Sequence, residues 1–136
     1  MPAKACPQVM NLRGLFAIIS LIHWPISIWS HCVERLETKE IVLHGADYDL
    51  RMLRRGLNLA ASKIFDTLIA ARLLGIREFS LAALVKRYFG LTLLKGSQKA
   101  NWAQRPLPAR MAEYAINDAH YLLPLAEKIG RRVGSL

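Results

Sequence analysis

Glu40-Ile41-Val42-Leu43-His44-Gly45-Ala46-Asp47-Tyr48-Asp49-Leu50 is the stretch whose reading decides the fold. Glu40 to His44 read as a strand running into a glycine turn. Asp47 or a neighbour then starts a helix, with Leu50, Met52 and Leu53 toward the core and Gly56 as its stop. A second short strand, Ile64-Phe65, ends at Asp66, which can cap the helix from Thr67 to Leu74 before Gly75. Ser80 caps a helix whose Leu81, Leu84, Val85, Tyr88 and Phe89 form an apolar stripe, ended by Gly90. Leu91 to Pro108 is a loop with turn residues, and a helix over 110–129 closes the chain. This alternation of strands and helices predicts an α/β domain, a small sheet packed by helices.

The closing helix carries Tyr114-Ala115-Ile116-Asn117-Asp118. Residues four apart share a helix face, so Tyr114 and Asp118 place a phenol beside a carboxylate. Spacing alone is better served by an ordinary amphipathic helix with one polar pair.

Composition sets the outer bounds. At 136 residues, 53% of them hydrophobic, the chain suits one globular domain. Cys6 and Cys32 are its two cysteines. They give neither a disulfide framework nor zinc spacing, so a reducing cytoplasm is expected. The formal charge is +9. Residues 41–136 hold 15 Lys and Arg against 7 Asp and Glu, while residues 1–40 hold 4 against 3. That basic surface can attract phosphate backbones, or Arg51, Arg54, Arg55, Arg131 and Arg132 can be solvated helix faces. Residues 131–136 read as a short basic tail.

Residues 1–40 are set apart. Leu15 to Trp29 is apolar but broken by His23 and Pro25. It is shorter than the roughly 20 residues of a spanning helix, and no small-residue cleavage site follows, so no membrane partner is expected. Phe16 to Ile22 can be a central strand or a buried helix.

Four motifs stand in order: His44-Gly45-Ala46-Asp47-Tyr48-Asp49, Phe65-Asp66-Thr67, Gln98-Lys99-Ala100-Asn101-Trp102-Ala103-Gln104-Arg105-Pro106-Leu107, and Tyr114-x-x-x-Asp118. Together, over Ile41 to Ile129, they resemble the 3'-5' exonucleases of the ribonuclease D kind, the DEDDy group. The resemblance implies a ribonuclease H-like exonuclease fold over residues 41–130. It implies hydrolysis of RNA or single-stranded DNA from the 3' end by two Mg²⁺ or Mn²⁺ ions about 4 Å apart. It assigns Asp118 as a direct ligand of the first ion. Asp49 helps hold the second ion, largely through water, and Tyr114 orients the attacking water.

Lys99 and Arg105 become phosphate contacts or surface ion pairs, and Trp102 stacks on a base or packs on the final helix. Asp47 and Asp66 are expected as caps, His44 as a hydrogen-bonded turn residue, and His120 as facing away from Asp118.

The group's first motif, Asp-x-Glu, has no counterpart. Residues 1–40 contain no Asp, and Glu34, Glu37 and Glu40 are spaced for a helix face. The domain is therefore expected to be N-terminally incomplete or divergent. Such a chain binds metal poorly and cuts slowly or not at all, or is a non-catalytic nucleic-acid-binding remnant.

Overall fold

The computed structural model describes residues 30, 33–34, 36–93, 100–101, 104 and 106–136. From residue 40 onward, its described elements are β1 (Glu40–Leu43), α1 (Ala46–Leu57), β2 (Lys63–Asp66), α2 (Thr67–Leu73), α3 (Leu81–Phe89), α4 (Ala109–His120) and α5 (Leu122–Val133). Phe16 to Ile22, and with them Lys99, Trp102 and Arg105, lie outside the described residues.

β1 and β2 pair in parallel, with Ile41 opposite Ile64 and Val42 opposite Phe65. Parallel pairing needs a crossover longer than a hairpin, and α1 is that crossover. Ile41, Val42 and Leu43 are all buried. A strand covered on both faces reads as an unbroken apolar run, which is what the sequence shows. The side chains still alternate in direction. Ile41 and Leu43 pack with Ala46 and Leu53 of α1 and with Leu36 and Leu59. Val42 turns the other way, onto Leu122 and Ala126 of α5. Phe65 packs beside them and also against the cluster of Ala70, Leu84, Leu125 and Ile129. The sheet thus lies between α1 and the α2, α3 and α5 layer. Each fully buried aliphatic side chain contributes about 1.5–3 kcal/mol to holding the layers together.

Gly130 sits within α5, and a Cβ there would lie 3.6 Å from Cζ of Phe65, an ordinary contact. Glycine in a helix interior costs up to about 1 kcal/mol relative to alanine. Gly130→Ala is therefore expected to raise the thermal midpoint by about 3–5 °C. A lower midpoint would show that the Phe65 ring has no room for the methyl group.

Sequence expectations are corrected at the closing helix and at α1. The helix expected over 110–129 is two helices, broken at Tyr121, and the second runs on to Val133. Pro124 explains the break. Within one continuous helix it has no N–H for the carbonyl of His120, and its ring would meet that carbonyl. In the first turn of α5 no such bond is needed. Arg131 and Arg132, expected in a tail, form the last turn of α5.

The other correction is at α1, which passes through Gly56 and stops at Asn58, in the left-handed conformation with φ 50°. Asparagine tolerates that region better than most side chains. The stops at Gly75 and Gly90, with φ 72° and 70°, are as expected. So is the Ser80 cap, whose Oγ accepts from the Ala83 amide at 3.2 Å.

Candidate active site

Both strands deliver their helices through one carboxylate. Oδ1 of Asp66 accepts from the Leu68 and Ile69 amides at 2.9 and 3.4 Å, capping α2. The same side chain reaches α1, accepting from the Gly45 amide at 3.0 Å on Oδ1 and from the Ala46 amide at 2.8 Å on Oδ2. Gly45, at φ 68°, supplies the left-handed turn into α1. Asp66 is therefore the cap the sequence suggests, and a second cap it does not.

Asp47 is not a cap. Its side chain is 84% exposed and pairs with Arg51 at 2.6 Å, an exposed ion pair that adds little.

Thr67, fully buried, ties the same junction. Its hydroxyl donates to the Leu43 carbonyl at 3.1 Å and stands 2.9 Å from Nδ1 of His44. A hydroxyl has one proton, so Nδ1 must carry the hydrogen of the second bond and donate it to Thr67. His44 is thus the hydrogen-bonded turn residue expected, with its tautomer set by the strand end.

Asp49 follows in the first turn of α1 and is only 4% exposed. It lies just past the carboxyl end of β1, the edge where open α/β sheets bind ligands. The positive end of α1 favours its charge. Among the described residues no buried side-chain nitrogen or oxygen lacks a hydrogen-bond partner.

Tyr114 and Asp118 are both half-buried on α4, one turn apart. One further turn on, Leu122 is 1% exposed and packs on Val42. β1 thus leads into the His44-Gly45 turn that precedes Asp49, and it packs against Leu122 in the helix that follows Asp118. His120 is exposed, its ring edge-on to Tyr121 at 4.9 Å.

The chain has ten carboxylate side chains, and all of them are described. Glu34, Glu37, Glu40, Asp47, Glu78, Glu113 and Glu127 are exposed. Asp66 is committed to its two caps. Asp49 is buried and Asp118 half-buried. Among the described residues no group of three or more His, Cys, Asp or Glu side chains is placed to hold a metal ion. A pair of dications repel each other and need a dense set of oxygen ligands. Two acids do not fit that demand.

A parallel strand pair with an acid past its carboxyl end, and a Tyr-x-x-x-Asp helix followed directly by a helix packed on its first strand, fit an α/β domain of the ribonuclease H-like exonucleases. Family comparison matches the 3'-5' exonuclease domain over residues 14–134, so the chain belongs to the 3'-5' exonuclease family. The match takes in residues 14–40, most of the segment set apart above. The family is metal-dependent and acts on nucleic acid.

The exosome complex component 10 homolog of Drosophila melanogaster is 44% identical over 82 residues, 60% of this chain and 9% of that protein. The solved catalytic core of RRP6 from Trypanosoma brucei superposes with a TM-score of 0.63 and 38% identity, covering 65% of this chain and 24% of that one. RNase D of Escherichia coli, an exoribonuclease involved in structured RNA processing, gives a TM-score of 0.73 and 30% identity over 79% of this chain and 29% of that one. The chain spans a small part of the length of its relatives.

Proposed function

We propose that this domain holds the 3' end of single-stranded RNA in a ribonuclease D-type exonuclease site and, by itself, cuts slowly or not at all. The carboxylate inventory carries the reading. Asp49 stands on α1, packed on β1, and Asp118 on α4, which leads into the helix packed on β1, and among the described residues no cluster of three or more His, Cys, Asp or Glu is placed to hold a metal ion. The relatives named for the exosome, RRP6 and RNase D favour RNA over DNA. The charge of +9 favours a phosphate backbone.

In this reading the phenol of Tyr114 hydrogen-bonds the water or the terminal phosphate nearest Asp118. Mg²⁺ or Mn²⁺ would supply charge neutralisation in a site with the full set of acids.

Fluorescence anisotropy with a 5'-labelled single-stranded RNA, in EDTA, tests the binding half. Binding is expected without metal, with an affinity that falls as salt rises, by a slope of about 0.7 log units per phosphate contact. No association at low salt would end the proposal. A DNA strand of the same sequence is expected to bind more weakly.

A further inference from the structure

Away from the two acids, α3 and α5 build a strip of alternating rings and cations. The Tyr121 ring lies against His120 at 4.9 Å and against Phe89 at 6.0 Å. Nζ of Lys128 stands 5.0 Å from the centre of the Phe89 ring. One turn on, Arg132 donates to the hydroxyl of Tyr88 at 3.4 Å. Tyr121, Lys128 and Arg132 fall within about 40° of one another around the helix axis and span about 16 Å. Lys128 and Arg132 are exposed, whereas Tyr88, Phe89 and Tyr121 are half-buried beside them. Glu127 is the only acid within α5 and stands about 100° round from Lys128. The strip begins three residues after Asp118, less than one helical turn away.

We infer that this strip is a binding track for the single strand on its way to the 3'-end site, with Lys128 and Arg132 contacting phosphates and His120 and Tyr121 offering ring surface to bases. The inference rests on the RNA-binding reading above. The chemistry is that of single-strand binding: cations along the backbone, and rings that accept any base. The rings are held in register by the α3–α5 contact, so the track is preformed. An acidic protein segment would use the cations but has no need of rings between them.

The full chain with Lys128→Gln and Arg132→Gln is compared with the wild type by anisotropy on a 5'-labelled 12-nucleotide RNA. Removing two phosphate contacts is expected to weaken binding on the order of 20-fold at about 0.1 M salt and to flatten the salt slope by about 1.4. Removing the same charge from α1, with Arg54→Gln and Arg55→Gln, is expected to leave the slope unchanged. Lys128→Arg with Arg132→Lys, which keeps the charge, is expected to stay within about twofold of wild type. Thermal melts of each variant confirm the fold.

If the wild type binds RNA and the Lys128/Arg132 variant matches it in affinity and slope, the track is refuted while the domain's function stands. An equal loss in the α1 control would also refute it, since charge alone would then explain both. If the wild type itself fails to bind, the parent reading falls.

Discussion

Asp66→Ala is expected to destabilise the fold by about 3–4 kcal/mol, a large share of the 5–15 kcal/mol that holds a domain of this kind together. A lost N-cap typically costs 0.5–2 kcal/mol, and this side chain caps two helices at once. The four amides of Gly45, Ala46, Leu68 and Ile69 would lose a charged acceptor in a partly buried junction, where bonds to a charge are stronger than neutral ones. In a thermal melt the midpoint should drop by about 10–15 °C.

Asp66→Asn separates the two oxygens. Its carbonyl can keep the three amides now on Oδ1, but its amide group then faces the N–H of Ala46. A loss roughly half that of alanine is expected. A drop of only about 2 °C for alanine would show that the shared cap is not what secures the junction.

The second large effect concerns chemistry. Assayed beside Escherichia coli RNase D on the same 5'-labelled RNA with Mn²⁺, the chain is expected to shorten the strand at least about a thousandfold more slowly. Metal ions contribute several kcal/mol of transition-state stabilisation in phosphodiester hydrolysis, and each 1.36 kcal/mol lost is a factor of about ten in rate. In the proposed reading Asp49 and Asp118 are too few to assemble that contribution. Any residual Mn²⁺-dependent shortening should disappear in Asp118→Ala, while RNA binding in EDTA should survive it. Stepwise shortening at a rate comparable to RNase D, abolished by Asp118→Ala, would show that two acids suffice.

What could be read in advance follows the range of the forces involved. The Ile-Val-Leu run of β1, the Ser80 cap and the glycine stops at 75 and 90 are local signals, and the structure keeps them. The Tyr114/Asp118 pair needs only helical spacing, so it too was legible. Gly56 misled because a glycine signal stood two residues before the Asn58 stop. Pro124 was visible, but only the packing of Leu122 on Val42 shows that the helix restarts there without losing its seat. The second role of Asp66 was hidden because its partners lie 20 and 21 residues away. The ring-and-cation strip has no local sequence signal for a similar reason. Tyr88 and Phe89 come from one helix and their cations from another.

The shared cap also governs which parts of the molecule come undone together. An acid at the end of β2 that holds the start of α1 links two segments that a hydrogen-exchange experiment would otherwise resolve separately. The amides of Ala46 and Leu68, remote in sequence, should exchange through one common opening and report a single free energy. The nascent chain should likewise gain protection at α1 only once residue 66 has emerged and docked.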